Sequence, residues 1–579
     1  MNLNSFKFLR PHTLKTCSSH RKHAYTSFFY AFHTAVRRST KAVATDSPHD
    51  GSLDDSQKRI EKLKSIDDVS NVYPRVKREK DIWSQPSLSR LRTDYNDLTI
   101  GEVKEDAKTT VKGRIQSIRT SGSKLRFYDV TDGTTHLQVM SNLGRIVNDG
   151  TLNEDERGKV KESWKRAGQI LRKGDWALFT GYPSRTTSGE LSISTTEVPE
   201  LLAPSLHQVP EELTDPETRS RSPHVDMIVN QRPRDILRIR HHVEKYICDE
   251  LTARGLIQVR TPMLSSNSGG ATARPFTTLS TEAPDIELKL RVAPELFLKR
   301  LLVGNMGEGV FEIGQAFRNE GIDATHNPEF TICEFYKPFA TIDDLIELTE
   351  DLVSGLADHT RKLRTQTTHP LDEIDLEFKS PFRRIELIPA IQAAIGLELP
   401  DLISSGAQQQ LLILFNRLNL IPPDKPSVPR LLDALCSKFI EPQCQAPTFI
   451  INPPECLSPL AKSFIDIKTG QKVGARAELF IKGREYANMY EEENSPFEQR
   501  KKFEEQVRHR NIDKEDGEGV NAIDENYISA LEWGLPPTGG WGCGVDRLCM
   551  LFSGTDRISD VLPFGTLRNV VSLAQPPRR

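Results

Sequence analysis

Between residues 96 and 203 the chain is divided into short β-type segments, and this pattern limits the fold more than any other feature of the sequence. The segments cover residues 110–118, 124–130, 136–140, 176–181 and 191–194. Turns that contain glycine separate them, and one helix-like stretch at 153–171 interrupts the run. Short strands at close spacing with glycine turns are typical of small β-barrels and sandwiches. The sequence therefore predicts a compact β unit in this part of the chain.

Five strands with a helix between the third and the fourth fit an OB-type barrel, which we predict for residues 96–203. Residues 46–95 are charged and predict a short helical extension before the barrel. Residues 204–230 are rich in proline and charge and predict a hinge after it. No apolar run approaches the roughly 18 residues that a membrane-spanning helix needs, so we expect no membrane partner.

Beyond the hinge the pattern changes to longer, alternating helices and strands. Apolar side chains recur there at intervals of three and four residues, at Ile236, Ile239, Val243, Ile247 and Leu251. This spacing predicts an amphipathic helix, with Gly255 as its C′ residue and a strand at 256–259. Because no second boundary follows, residues 231–579 are predicted to form one α+β domain, with a proline-broken helical insert near 402–437.

The charge of the chain is unevenly distributed. A net charge of −3, from 77 Lys+Arg against 80 Asp+Glu, would by itself argue against a nucleic-acid partner. Residues 1–45, however, contain eight basic residues and no acidic one, and are rich in Ser, Thr and His. This composition is typical of a mitochondrial transit peptide, and a basic arm that binds RNA is the alternative. Without those eight bases, 69 remain against 80 acids, so the body carries −11.

Two segments of the predicted α+β domain carry a resemblance to a known family. Residues 317–330 read FRNEGIDATHNPEF, and residues 540–547 read GWGCGVDR. They resemble motifs 2 and 3 of the class II aminoacyl-tRNA synthetases. Together with RVAPEL at 291–296 and ELF at 478–480, they are most similar to the lysyl-tRNA synthetases, and the similarity extends from about residue 56 to residue 565. The resemblance implies an antiparallel-sheet catalytic domain with flanking helices, joined to an anticodon-binding OB-fold.

The residue types of these motifs suit amino-acid activation, in which a carboxylate attacks the α-phosphate of ATP. A carboxylate needs no general base at pH 7, so catalysis depends on positioning and on neutralising phosphate charge. The guanidinium of arginine is always charged and can hold two oxygens at once. By resemblance, Arg318 contacts the amino-acid carboxylate and the α-phosphate, and Arg547 binds the γ-phosphate. The resemblance also assigns Glu320, His326 and Phe330 to ATP binding, with Phe330 stacked on the adenine.

Further carboxylates would bind the metal and the amino acid. The resemblance assigns Glu478 and Glu485 to Mg²⁺ that bridges the ATP phosphates, which fits the preference of this hard cation for oxygen ligands. It assigns the binding of L-lysine to Gly270, Glu295, Glu334, Tyr336, Asn488 and Glu492. Read without the resemblance, Glu492 belongs to an acidic surface run and residues 478–485 to a solvated charged turn.

In the predicted barrel, Arg119, Phe127, Gln138 and Glu190 match positions that read the anticodon in this family. Single-stranded bases are recognised by aromatic stacking and by polar contacts to their edges, and OB-folds provide both. The alternative for Phe127 is a position in the barrel core.

The resemblance therefore implies an ATP-dependent aminoacyl-tRNA ligase that forms lysyl-adenylate and transfers lysine to tRNA-Lys. It further implies a homodimer, with Pro262 near the subunit interface. The predicted transit peptide leads us to expect the protein in the mitochondrial matrix. An aspartyl- or asparaginyl-tRNA synthetase is the nearest enzymatic alternative, although its pocket would not collect glutamates. A non-catalytic RNA-binding protein on a synthetase scaffold is the alternative from another class.

Overall fold

The computed structural model describes residues 54–66, 72–75, 87–148, 152–266, 270, 273–364, 374–512 and 523–573. The predicted transit peptide at 1–45 lies outside these residues. The described part of the chain combines a β-barrel with a helix-flanked sheet, so the predicted α+β class with an N-terminal barrel is confirmed. Within the described ranges, no helix has the length and apolar character needed to cross a membrane.

Six strands form the barrel: β1 (Thr109–Ser121), β2 (Leu125–Thr131), β3 (His136–Asn142), β4 (Trp176–Arg185), β5 (Leu191–Thr195) and β6 (Glu200–Ala203). They are ordered β1-β2-β3-β5-β4-β6, and β1 also pairs with β4, which closes the barrel. The five predicted strands are confirmed. The sixth, β6, was not predicted, because its four residues are too few to show an alternating pattern.

Four helices accompany the barrel: α1 (Asp55–Ile66), α2 (Leu88–Asp94), α3 (Leu143–Val147) and α4 (Glu154–Ile170). The predicted helical interruption of the barrel is α4, which begins with a capping box between Asn153 and Glu156. Helix α1 packs against the barrel through Arg59, whose buried guanidinium donates to Asp175 at 2.8 Å and to the carbonyl of Ile170 at 2.6 Å. The extension is therefore attached to the barrel by a buried ion pair.

Two short helices, α5 (Pro216–Arg221) and α6 (Pro223–Val229), lead into the long helix α7 (Arg232–Ala253). All five apolar residues that predicted this helix are buried. Gly255 follows it at φ +84°, which is the left-handed C′ conformation expected of a terminating glycine. At the start of α7, Arg238 donates to the carbonyl of Gly133 in the β2–β3 turn at 3.1 Å. The barrel and the larger domain thus meet at this turn.

An eight-stranded sheet lies at the centre of the larger domain. Its strands are β7 (Ile257–Gln258), β11 (Val310–Phe317), β12 (Glu329–Pro338), β13 (Arg383–Glu386), β14 (Thr448–Ile451), β17 (Arg476–Ile481), β18 (Arg484–Glu491) and β19 (Thr538–Gly544). Their order in the sheet is β13-β14-β17-β18-β19-β12-β11-β7. The predicted antiparallel pairing holds through the middle of the sheet, whereas the edge pairs β13–β14 and β11–β7 are parallel.

Smaller sheets and helices surround this sheet. The remaining strands form two small sheets: β8 (Leu264–Ser265), β9 (Thr277–Ser280) and β10 (Ala283–Leu290) in one, β15 (Ser463–Ile465) and β16 (Lys472–Gly474) in the other. The remaining helices are α8 (Glu295–Val303), α9 (Ile342–Arg364), α10 (Leu387–Ile395), α11 (Ala407–Arg417), α12 (Val428–Phe439), α13 (Pro496–Ile512), α14 (Glu525–Leu531), α15 (Val545–Ser553), α16 (Ile558–Val561) and α17 (Leu567–Leu573), with short 3₁₀ turns at Glu441–Gln443 and Glu455–Leu457. Helices α7, α9 and α15 share one apolar core with the sheet, whereas α10, α11 and α12 enclose a second core.

Candidate active site

One cavity of about 510 Å³ lies where β12, β18 and β19 meet the segment 318–328 and helix α8. Eleven of the thirteen catalytic-domain residues predicted from sequence line it: Gly270, Glu295, Arg318, Glu320, His326, Phe330, Glu334, Tyr336, Glu485, Asn488 and Arg547. The other two residues do not line the cavity themselves. Glu492 is fully buried and contacts Lys299, and Glu478 contacts Arg476, which lines the cavity. The fold therefore gathers residues that are more than 270 positions apart in the sequence.

Arg318 lies at the start of the segment that joins β11 to β12. Its guanidinium carbon is 5.0 Å from the centroid of the Phe330 ring. Its Nε is buried and has no hydrogen-bond partner among the described residues. A buried, unpaired donor on a charged side chain costs free energy unless an acceptor binds there. Arg318 is therefore suited to an anionic ligand.

Arg547, at the start of α15, is held by two neighbours. It donates through Nη1 to the carbonyl of Glu485 at 2.8 Å and through Nη2 to His326 Nε2 at 2.9 Å. A guanidinium can only donate, so Nε2 accepts and the proton of His326 is on Nδ1, 2.9 Å from Asp323. Backbone N–H donation from Thr325, together with His326, lowers the pKa of Asp323 to about 2. Asp323, which was not predicted as a site residue, orients the histidine that holds the arginine.

The opposite end of the cavity collects buried carboxylates. Glu295, Glu334 and Glu492 are all less than a tenth exposed. Tyr336 donates to Glu334 at 3.1 Å. Burial, and then the charge of Glu295, raise the pKa of Glu334 to about 8. Tyr490, which was not predicted, donates to Glu295 at 3.3 Å. An acidic end of this kind suits a cationic ligand.

Two glycines, which have no side chain, make room for these carboxyl groups. Gly540 lies in β19, where a Cβ would collide with the Glu492 carboxylate and the Tyr336 ring. Gly270 has φ +95°, and a Cβ there would lie 3.1 Å from the Cβ of Glu295. A glycine within a strand leaves room for the close approach of another group. At Gly540 this room is filled by the carboxylate of Glu492.

Arg476 connects two of the predicted residues, and its own position in the site was missed. It donates through Nε to Asn488 Oδ1 at 2.9 Å, contacts Glu478 through Nη2, and donates to the Leu457 carbonyl at 2.6 Å. Asn488 and Glu478 are cross-strand partners on β18 and β17, so their side chains share one face of the sheet. The alternation of Arg476, Glu478 and Phe480 along β17 is the signal that could have identified it.

Glu478 and Glu485 are the predicted ligands of Mg²⁺. Burial, and then repulsion from Glu485, raise the pKa of Glu478 to about 7, although Arg476 opposes this. Two neighbouring carboxylates that repel each other fit a divalent cation, which would neutralise both. No cluster of three candidate ligand side chains occurs among the described residues. Glu478 and Glu485 thus offer two carboxylates to a divalent cation.

Three of the four predicted barrel residues, Arg119, Phe127 and Gln138, share the outer face of β1, β2 and β3. Arg119 and Phe127 are cross-strand partners, with the guanidinium carbon 5.8 Å from the ring centroid. Tyr128 points into the barrel core, so the half-buried Phe127 points away from it. Gln138 accepts from Ser192 Oγ at 2.9 Å. Glu190 is exposed just before β5, and its carbonyl accepts from the same Ser192 Oγ at 3.4 Å. The core alternative for Phe127 is therefore wrong.

Comparison with known proteins identifies the family. Residues 215–568 match the family of class II tRNA synthetases for D, K and N, and residues 109–201 match the OB-fold nucleic acid binding domain. The mitochondrial lysine–tRNA ligase of Schizosaccharomyces pombe is 42% identical over 507 residues, which cover 86% of this chain and 91% of that protein. The chain belongs to the lysine–tRNA ligase family. The predicted resemblance is thereby confirmed.

Other lysine–tRNA ligases agree. The enzyme of Clostridium tetani is 35% identical over 84% of this chain and 93% of its own length. The mitochondrial enzyme of Saccharomyces cerevisiae is 34% identical over 87% of this chain and 91% of its own length. The predicted class of reaction, ATP-dependent ligation of lysine to tRNA, is confirmed at the level of the family. Among the D, K and N synthetases, these relatives favour lysine over aspartate and asparagine.

Proposed function

We propose that this chain activates L-lysine with ATP and transfers it to the 3′ end of tRNA-Lys for mitochondrial translation. The single observation that supports this best is the division of charge within the cavity. Two arginines, Arg318 and Arg547, line the cavity, and three buried carboxyl groups, those of Glu295, Glu334 and Glu492, lie in or next to its wall around the substrate-sized space. A zwitterionic amino acid with a cationic side chain matches this division, and an acidic amino acid does not.

In the first step, the lysine carboxylate attacks the α-phosphorus of ATP, which forms lysyl-adenylate and releases pyrophosphate. Arg318 would contact both the carboxylate and the α-phosphate, so it would hold the two reactants together and stabilise the charge that develops between them. In the second step, a ribose hydroxyl of the terminal adenosine attacks the lysyl carbonyl and releases AMP. The same arginine would stabilise the oxygens of the leaving phosphate.

ATP would bind along the arginine end. Arg547, oriented by His326, would contact the γ-phosphate, Phe330 would stack on the adenine, and Glu320 would accept from its amino group. Glu478 and Glu485 would hold Mg²⁺, which supplies positive charge to the phosphates when bound. The described residues already orient Arg547 through the Asp323–His326 hydrogen bonds.

Lysine would be selected at the carboxylate end. Glu295 and the carbonyl of Gly270 would accept from the α-amine, and Asn488 would orient the substrate. Glu492, together with Tyr336 and Glu334, would surround the ε-amine. Buried carboxylates that lose their cationic ligand are costly, so uncharged amino acids of similar size would be rejected strongly.

A direct test is aminoacylation of a tRNA-Lys transcript by the purified protein with radiolabelled amino acids. We expect charging with lysine and none with aspartate or asparagine. Charging with aspartate or asparagine would replace this proposal by the nearest enzymatic alternative. Binding of tRNA without charging by any amino acid would support a non-catalytic RNA-binding protein instead.

We propose that the outer barrel face binds the anticodon through Arg119, Phe127, Gln138 and Glu190. Phe127→Ala is expected to raise KM for tRNA-Lys in aminoacylation, because stacking on one base contributes about 1–3 kcal/mol, or roughly 5- to 150-fold. ATP–pyrophosphate exchange, which needs no tRNA, serves as the internal control and should stay unchanged. An unchanged KM for tRNA would remove Phe127 from the interface.

We propose a homodimer whose interface includes the region of Pro262. The small sheet β8-β10-β9 and its surroundings expose large apolar side chains that the described residues leave uncovered: Ile257, Met263, Leu264, Leu279 and Ile286. Contiguous exposed apolar residues mark interaction surfaces. Leu279→Asp is expected to yield a monomer in light scattering, whereas Ile421→Asp, at a still more exposed isoleucine in the insert, should leave the dimer intact. A dimeric Leu279→Asp protein would contradict this interface.

We propose that the protein works in the mitochondrial matrix, since two of the compared relatives are mitochondrial and residues 1–45 have the composition of a transit peptide. Deleting residues 1–45 is expected to leave a fluorescently tagged protein in the cytosol. Import of the truncated protein would contradict this role of the segment.

A further inference from the structure

Lys299, on α8, is a fully buried cation at the carboxylate end of the cavity. Its Nζ is 2.5 Å from Glu295 Oε1 and also contacts Glu492 Oε2. Glu295 lies one helical turn earlier on α8, and Glu492 directly follows β18. One ammonium thus joins the two carboxylates that are proposed to accept the two amines of the substrate.

Burying the charged ammonium group of Lys299 costs free energy. We therefore consider how this charge affects the neighbouring carboxyl groups. Burial lowers the pKa of Lys299, but Glu295 and Glu492 outweigh burial and raise it well above its ordinary value. A buried carboxylate without a cation would take up a proton at neutral pH. Burial raises the pKa of Glu492 well above its ordinary value, and the charge of Lys299 opposes this shift, so Lys299 favours the ionised form of Glu492.

Each carboxylate also keeps one oxygen directed away from Lys299. Glu295 uses Oε1 for Lys299, whereas its Oε2 accepts from Tyr490 at 3.3 Å and lies 3.5 Å from where a Cβ on Gly270 would be. Glu492 contacts Lys299 through Oε2, and its Oε1 has no hydrogen-bond partner among the described residues. An unpaired, fully buried carboxylate oxygen indicates that a donor is to be supplied by a ligand.

We propose that Lys299 is a positioning residue that bridges Glu295 and Glu492 and favours the ionised form of Glu492, so that each carboxyl group can accept one amine of the lysine substrate. This inference rests on the proposed function. Its sequence signal is the i, i+4 spacing of Glu295 and Lys299 on one helix, which ordinarily indicates only a surface ion pair.

The titratable groups that face Glu492 determine how the inference can be tested. They come from α8, β12, β18 and α14, and they are Glu295, Lys299, Glu334, Tyr336, Tyr490 and Tyr527. Removing the charge of Lys299 leaves Glu295 and Glu492 with no cation among these facing groups. The pKa of Glu492 would then rise further, and Glu492 would hold a proton that lysine must displace.

The test is the pH dependence of KM for lysine, measured by ATP–pyrophosphate exchange between pH 6.5 and 8.5. Lys299→Gln keeps two N–H donors for the carboxylates but removes the charge. We expect its KM for lysine at pH 7 to rise roughly tenfold for each unit by which the pKa of the newly protonated carboxyl exceeds the assay pH. Its log KM should fall more steeply with pH than that of the wild type, by about one proton, with KM for ATP unchanged.

Lys502→Gln is the matched control, because Lys502 is also a buried lysine paired with a glutamate, Glu493 at 2.9 Å, outside the carboxylate end. It should leave KM for lysine and its pH slope at the wild-type values. If Lys299→Gln does not fold, Lys299→Met, which has a side chain of similar length and no charge, gives the same comparison. A charge-free variant at 299 with the wild-type slope and KM for lysine would overturn the inference. Absence of lysine-dependent exchange in the wild type would instead overturn the proposed function.

Discussion

Replacing Arg318 with alanine is expected to lower the rate of lysine-dependent ATP–pyrophosphate exchange by on the order of 10²-fold or more. The reason is that no general base takes part in the attack of a carboxylate on a phosphate, so the rate depends on groups that neutralise the developing charge. Arg318 is the arginine of the cavity whose guanidinium includes a buried donor without a partner among the described residues. Lysine, which keeps a charge but loses the planar fork, should recover only part of the rate.

The control for this prediction is Arg361→Ala. Arg361 is an exposed arginine on α9 that pairs with Asp358 at 2.6 Å. Its removal should change neither the exchange rate nor the melting temperature appreciably, since exposed ion pairs contribute little. An Arg318→Ala protein that folds and exchanges at the Arg361→Ala rate would remove Arg318 from catalysis.

The second large effect is expected from Glu492→Gln, which should lower kcat/KM for lysine with little change in KM for ATP. The variant preserves the shape of the side chain but removes the charge proposed to bind the ε-ammonium. Truncating one partner of a buried charge pair costs about 2–5 kcal/mol, or roughly 30- to 5000-fold. Titrations of ATP–pyrophosphate exchange, first with lysine and then with ATP, measure the two constants.

Glu498→Gln is the matched control for Glu492→Gln. Glu498 lies six residues further along the chain, on α13, and pairs with Lys501 at 2.6 Å on the surface. Its kcat/KM for lysine should equal that of the wild type. If Glu492→Gln also retained the wild-type value, the acidic run around it would have to be regarded as structural.

The sequence predicted those elements whose local pattern reflects the packing of the folded chain. Helix α7 buries the apolar stripe that predicted it, and Gly255 terminates it with a positive φ. Helix α4 begins and ends within one residue of the prediction, because Asn153 and Glu156 form a capping box that the sequence already contains. Strand β6 escaped prediction, because a four-residue strand depends on its pairing with β4.

The site was predictable to the extent that its residues lie in contiguous motifs. Arg318, Glu320 and Phe330 come from one such string, and the fold brings Arg547 to the same cavity. Asp323, Lys299 and Arg476 were missed because each acts through another side chain, and those contacts exist only after distant strands and helices have packed. The position of Gly540 beneath Glu492 likewise depends on the pairing of β18 with β19.

The central claim is that the carboxylate end of the cavity selects a cationic amino acid for activation. The most direct measurement is ATP–pyrophosphate exchange by the purified protein with a panel of single amino acids that includes lysine, arginine, methionine, aspartate and asparagine. We expect exchange that depends on lysine and exceeds that with any other member of the panel by several orders of magnitude. Exchange driven by aspartate or asparagine would contradict the account.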